Sequence, residues 1–244
     1  MFVSDFGLTH MGDKTVGIIG GMGPEATVDL MERVIRATPA QDDVDHIRLI
    51  VDNNPKIPSR IKAIIEGSGE SPVPCLQEMA RGLAAYGADF LAMPCNTAHC
   101  YYEEIRSAAG IPVLHMVDLT VERVLHKNPL LKRVGVLTSR AVILTEIYLR
   151  PFKRRGVEVM VPSAKLQDRL MQSIKIIKTG RYGLKERSVL KEAAQELTRK
   201  GAEALVIACT ELSIIAEAIG VPVKVYDSAQ ILAEAIVRRA KQRE

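Results

Sequence analysis

The sequence predicts an α/β protein made of two pseudo-symmetric lobes, each a parallel sheet flanked by helices, with a cleft between them. Three observations predict it. Short apolar runs alternate with amphipathic stretches along the chain, the pattern of repeated strand–helix units. The runs are rich in Val, Ile and Leu and nearly unbroken, as strands covered on both faces are. The second half of the chain also echoes the first.

In chain order, strands are expected at TVGIIG (15–20), HIRLIVDN (46–53), ADFLAMP (88–94), PVLHM (112–116), RVGVLTS (133–139), VEVMVP (157–162), EALVIAC (203–209) and VPVKVYD (221–227). Helices fill the intervals, at 24–37, 58–67, 75–86, 97–109, 117–127, 141–155, 166–178, 184–200, 210–219 and 228–242. TVGIIG is echoed by RVGVLT, and GADFLAMPCNTAH (87–99) by GAEALVIACTELS (201–213). In both copies a cysteine stands eight residues after the glycine (95 − 87 and 209 − 201). Ile-Pro-Val or Val-Pro-Val follows, then Asp118 or Asp227. Residues 14–114 with 216–244 are expected to form lobe 1 and 115–215 lobe 2, with 1–13 an N-terminal extension.

Composition narrows the function classes. The 244 residues are 47% apolar, enough for a large core. Aromatics are 4% and Trp is absent, which argues against a stacking platform for single-stranded nucleic acid. The net charge is 33 − 29 = +4 with both signs interspersed, so no nucleic-acid partner is expected. A small anionic substrate is compatible with that balance. No run of 18 apolar residues exists and no signal peptide is evident, so no membrane partner and a cytoplasmic location are expected. The four cysteines show no metal-type spacing, and no metal is expected.

Cys95 and Cys209 carry the chemistry that the repeat suggests. Both end strands at helix entrances, where parallel sheets bind ligands and where unpaired N–H groups favour a thiolate or a carboxylate. Thr97 and Thr210 fit as helix caps. If the halves face each other, the two sulfurs flank one carbon, an arrangement suited to racemisation by two-base proton transfer. Packing is the alternative, since cysteine is among the most buried residue types. Cys75 and Cys100 have no echo in the other half and read as structural. GIIGGMGPEAT (17–27) also fits a G-x-G-x-x-A dinucleotide pattern through Gly21, Gly23 and Ala26. Its supporting acid lies too far on, and Pro24 removes an N–H, so a tight turn near a small carboxylate is the preferred reading.

GGMGPEAT, PCNTAH and ACTEL, in that order and with the two cysteines 114 residues apart (209 − 95), resemble the cofactor-independent aspartate/glutamate racemases. The likeness spans about residues 14–240 and lies nearest the aspartate racemases. It implies a homodimer of two-lobed subunits, no cofactor, and interconversion of L- and D-aspartate, or glutamate. It implies that Cys95 and Cys209 are the acid/base pair. Asn96, Thr97 and Thr210 would hold the α-carboxylate or amino group, with Met22, Ala98 and Thr138 also at the substrate. Arg60 falls where aspartate racemases hold the distal carboxylate, and Lys178, with Lys175 as the alternative, matches the family's lysine. His99 is expected to support Cys95, His115 to pack, and Glu211 to stand as a first-turn acid. Two departures from the family pattern are Ala208 before the second cysteine and Arg140-Ala141-Val142 in place of a Gly-Thr pair. The other readings are a dicarboxylate or hydantoin isomerase or lyase of the same fold, and a dinucleotide-binding oxidoreductase.

Overall fold

The computed structural model describes residues 12–242; most of the expected N-terminal extension, residues 1–11, lies outside the described residues. The first half runs β1 (Val16–Gly20), α1 (Pro24–Ala37), β2 (Leu49–Asn53), α2 (Val73–Ala85), β3 (Phe90–Ala92), α3 (Tyr102–Ala109) and α4 (Met116–Lys127). The second runs β4 (Arg133–Thr138), α5 (Arg140–Thr145), α6 (Leu149–Arg154), β5 (Glu158–Met160), α7 (Ala164–Ile177), α8 (Leu184–Arg199), β6 (Ala204–Ala208), α9 (Thr210–Ser213), β7 (Lys224–Asp227) and α10 (Ser228–Lys241). Two parallel sheets result, in the orders β2-β1-β3 and β5-β4-β6-β7.

The repeat survives at the level of register. Val16 pairs with Phe90, and Val134 with Ala204, which are equivalent positions of the two copies. The glycines that follow do the same job. A Cβ on Gly17 would meet Leu91 Cδ2 at 2.6 Å and Leu83 Cβ at 3.1 Å. One on Gly135 would meet Leu205 Cδ2 at 2.5 Å and Leu197 Cβ at 3.1 Å. In each sheet the central strand lacks a side chain so that a neighbouring leucine and a covering helix can close over it.

The strand expected at 112–116 shrinks to one parallel bridge, Val113 with Leu91. Pro112 contributes only its carbonyl to Leu91 N, and His115 already caps α4 by accepting from Asp118 N. Four expected helices are shorter or broken. The one at 58–67 holds a single π-type turn, Lys62–Glu66, closed by Gly67 at φ +61°. The one at 97–109 begins as a 3-10 turn, Thr97–Tyr101. That at 141–155 divides at Glu146, which has φ +55°. That at 210–219 ends as α9 after four residues, and a 3-10 turn follows at Ala216–Ala218.

Each half lends its last helix to the other. Val117, Val121 and Val124 of α4 pack with Val134, Val136 and Tyr226 of the second sheet. Leu232, Ala233 and Ile236 of α10 pack with Val16, Ile18 and Phe90 of the first. The expected lobe 1 included all of 216–244. In that stretch β7 instead pairs with β6, because Lys224–Asp227 continue the register of the second sheet, and α10 alone crosses over. Among the described residues no helix is long and apolar enough to cross a membrane.

Candidate active site

The carboxyl ends of β1, β3, β4 and β6 face a narrow cleft between the two sheets. Cys95 follows β3 of one sheet and Cys209 follows β6 of the other, and both thiols line this cleft. They are free and almost equally buried, at 7% and 6% exposure. Met22, Arg60, Asn96, Thr97, Lys178 and Thr210 line it too. Of the two candidate lysines the cleft takes Lys178; Lys175 points to the surface of α7. Cys75 and Cys100 lie elsewhere, half-buried.

Two expected residues stand outside the lining. Ala98 is buried in the core beneath Cys95, with Leu91 and Met93. Thr138 is the last residue of β4, and its hydroxyl donates to Ala208 O (2.7 Å), tying β4 to β6. Strand alternation turns the next residue, Ser139, into the cleft. Ser139 also caps α5, accepting from Val142 N. The cap rule and the alignment of Ser139 with Gly21 in the repeat are the signals that pick it out. Ser59 and Ile61 enter the lining as flanks of Arg60, and Ile174 as the residue one turn before Lys178.

The threonines do not cap. Asn96 precedes the 3-10 turn and Cys209 precedes α9, and neither makes a side-chain cap bond. Thr97 and Thr210 instead span the cleft. Thr97 Oγ1 lies 3.4 Å from Ser139 Oγ, and Thr210 Oγ1 donates to Pro94 O at 3.2 Å. Asn96 is anchored at both ends of its amide. Tyr148 donates to its Oδ1 (2.6 Å) and its Nδ2 donates to Ser228 Oγ (3.1 Å). Arg60 is held by its own turn, Nη1 donating to Ile57 O and Pro58 O.

His99 is buried beneath Cys95. Its Nδ1 donates to Cys95 O (2.9 Å) and its Nε2 accepts from Met116 N (3.1 Å). Both ring nitrogens are occupied by backbone, which fixes a neutral tautomer. Burial and the nearby His115 push its pKa down to about 4. His99 thus braces the Cys95 backbone and is not a cation beside the sulfur.

Cys209 has a different neighbourhood. Its Sγ donates to Glu211 Oε2 at 3.1 Å, and Lys178 Nζ lies 3.3 Å from Glu211 Oε1, an ion pair without hydrogen-bond geometry. Burial, then the charge and hydrogen bond of Glu211, push the Cys209 thiol well above its ordinary range; Lys178 pulls weakly the other way. The helix entrance therefore does not favour a thiolate here: α9 is four residues long and its first-turn carboxylate opposes one. Burial lowers the pKa of Lys178, but Glu211 and the two cysteines outweigh it, and the ammonium form is favoured.

The glycine-rich loop closes the cleft from lobe 1. Gly21 has φ +91°, and a Cβ there would lie 2.1 Å from Asn54 O. Thr27 Oγ1 accepts from Gly21 N (2.9 Å) and donates to Gly23 O (3.1 Å). The side chain of Thr27 thus takes up the Gly21 N–H that a phosphate cradle would present.

Fold and cleft together define a class: a duplicated two-lobed α/β protein with one polar, thiol-flanked crevice between equivalent strand ends. The Asp/Glu/Hydantoin racemase family model matches residues 19–236. The chain belongs to that family, and its class of chemistry is racemisation. Aspartate racemase of Picrophilus torridus is similar in structure, with a TM-score of 0.84 at 33% identity, covering 94% of this chain and 95% of that one. The broad specificity amino-acid racemase RacX of Bacillus subtilis (strain 168) is 29% identical over 235 residues, 91% of this chain and 96% of its own length. Glutamate racemase of Francisella tularensis, in complex with D-glutamate, has a TM-score of 0.64 at 21% identity, covering 93% of this chain and 80% of that one, a likeness of fold alone.

Proposed function

We propose that the chain racemises a small acidic amino acid, aspartate first, by moving the Cα proton between Cys95 and Cys209 without an added cofactor. The observation that carries the reading is that both sulfurs bound one cleft whose walls also hold Arg60 and Lys178. One thiolate takes the Cα proton, and the opposite thiol returns a proton to the other face. Arg60 meets the distal carboxylate, for which a planar guanidinium offers paired donors. Thr97, Thr210 and Asn96 border the α-carboxylate and ammonium. Glu211 and the attacking thiolate balance Arg60 and Lys178 in the lining, so the distal carboxylate is drawn by the local cation at Arg60 rather than by a net positive cleft. The likeness to an aspartate racemase supports the same substrate.

A wider amino-acid range is the second reading. The likeness to RacX favours it, as does the pairing of Lys178 with Glu211, which leaves Arg60 the one lining cation without a carboxylate partner. The test is a chirality-resolved assay over a panel of amino acids, with no pyridoxal phosphate and with a chelator present, run in deuterium oxide. Cα deuterium should enter both L- and D-aspartate. Absence of exchange in every amino acid tested would sink the proposal. Turnover of a hydantoin, or binding of a nicotinamide nucleotide in its place, would move the chain to another reaction.

A further inference from the structure

We propose that Glu211 is a positioning residue that keeps the proton on Cys209 in the resting enzyme, so that the two thiols meet the substrate in unlike states, Cys209 as the acid and Cys95 as the base for one enantiomer, with the roles exchanged for the other. The inference rests on the racemase reading and assigns the resting proton inventory of that site.

The duplication makes the argument. Cys95 is followed by Asn96 and Thr97, Cys209 by Thr210 and Glu211. The repeat therefore places a hydroxyl and a carboxylate at equivalent positions, two residues after each sulfur. In the second half that carboxylate sits against the thiol, with Sγ to Oε2 at 3.1 Å. A carboxylate offers only acceptors, so a bond of this kind needs a proton between the two atoms. Removing it would leave two anions in contact inside a buried site, the arrangement that charge repulsion most disfavours. Glu211 is itself buried, at 6% exposure, and its second oxygen has no hydrogen-bond partner but has Lys178 as counter-charge. In the first half the equivalent Thr97 turns to Ser139. No carboxylate hydrogen-bonds Cys95 Sγ among the described residues.

The proton balance follows. The Cα–H bond breaks as an S–H bond forms on Cys95, leaving the electron pair on Cα. The Cys209 S–H bond then breaks as a new C–H bond forms on the opposite face. The enzyme left behind has Cys95 protonated and Cys209 as a thiolate beside Glu211; it resets when Cys209 takes a proton from water and Cys95 releases to water the one it took from Cα. The resting form, with Cys209 protonated, therefore takes the enantiomer whose Cα–H faces Cys95, and the form with the proton on Cys95 takes the other. The alkaline limb of the pH profile belongs to Cys209.

The experiment is alkylation of the whole protein by iodoacetamide between pH 6 and 10, with each cysteine followed by mass spectrometry. Cys95 and Cys209 are nearly equally buried, so their relative rates report thiolate content rather than access. Cys95 should react first throughout. Glu211→Gln, which keeps the shape and removes the charge, should raise the Cys209 rate at pH 8 about tenfold or more, the effect of lowering a thiol pKa by a unit. It should also move the alkaline limb of aspartate racemisation to lower pH, a change that a packing role would not produce. Glu211→Thr, which copies the other half, should do the same. The inference is overturned if Cys209 of the wild type reacts as fast as Cys95, or if both variants leave its rate unchanged. Because alkylation needs no substrate, a wild type that racemises nothing would defeat the racemase reading while the alkylation rates still judged Glu211.

Discussion

Cys95 and Cys209 leave equivalent strands at equivalent registers, yet their surroundings diverge within two residues. The Cys95 corner is braced from below. A neutral His99 holds the cysteine carbonyl, and Tyr148 and Ser228 hold the Asn96 amide. The Cys209 corner is charged from the side, with Glu211 on the sulfur and Lys178 behind it. The shared strands and their register deliver both sulfurs to one crevice. The local substitutions after each cysteine decide what each sulfur can do there. In the proposed reaction symmetry would serve the geometry, since a stereocentre has two faces, and asymmetry the protonation, since one face would lose a proton while the other supplies one.

The largest effects should come from removing either sulfur. Cys95→Ser and Cys209→Ser each keep the size of the side chain but raise its pKa far beyond use as base or acid. Each alone should cut racemisation about 10²–10⁴-fold, the range for a lost acid–base group. Chiral chromatography measures the rate and circular dichroism checks that the fold persists. If one variant kept nearly full activity, that corner would be packing and the comparison would break. Next comes Arg60, which belongs to neither corner. Arg60→Ala should lower kcat/KM for aspartate about 10²–10³-fold, as expected for an unpaired desolvated carboxylate, while alanine loses less than about tenfold. Equal losses on both substrates would remove Arg60 from side-chain selection.

Much of this arrangement was legible in the sequence because duplication constrains it twice. The copies GADFLAMPC and GAEALVIAC place both cysteines at the ends of strands that pair with β1 and β4 in the same register. The rest was set by contacts that span the chain. The sequence points to Thr138, while the cleft takes Ser139, and in a strand that single step exchanges core for cleft. The break at Glu146 is announced by Pro151, which has no N–H to donate to Ile147 O and falls in the first turn of α6, whereas the short α9 has no proline or internal glycine to announce it. The placement of β7 depends on which sheet had a free edge beside β6. Glu211 reads as an ordinary first-turn acid until α7 brings Lys178, 33 residues earlier in sequence (211 − 178), up to its other oxygen.

Acid should weaken the Cys95 corner through His99. Its pKa of about 4 in the folded chain lies below the ordinary 6.5, so the unfolded chain binds the extra proton between those values. Stability from this group is therefore full above pH 6.5 and is lost as pH falls toward 4, amounting to about 3 kcal/mol. Urea midpoints of wild type and His99→Gln, taken from pH 7 to pH 4, measure it. The wild type should lose more stability than the variant over that window, and parallel curves would mean that His99 titrates normally. The Cys209 corner carries the opposite sign. Its raised thiol holds a proton that the unfolded chain gives up, so its contribution fades above pH 9.

The smallest effects sharpen the comparison inside the sheets. Gly17→Ala and Gly135→Ala each force a methyl toward a leucine Cδ2, at 2.6 Å and 2.5 Å, and toward a helix Cβ at 3.1 Å in both. Overpacking of this kind costs about 1–3 kcal/mol. The third contact separates them. At Gly17 it is Ala88 Cβ at 3.0 Å, an atom fixed to the backbone; at Gly135 it is Leu197 Cδ1 at 3.0 Å, the far end of a side chain that can rotate. Gly17→Ala should therefore lose more stability than Gly135→Ala, by about 1 kcal/mol, in urea unfolding followed by circular dichroism. Equal losses would mean that the Leu83 and Leu197 contacts alone set the cost and that the two sheets are packed alike. A larger loss at Gly135 would mean that Leu197 of the covering helix α8 has no rotamer to move to, and that the second lobe is the more rigid wall of the cleft.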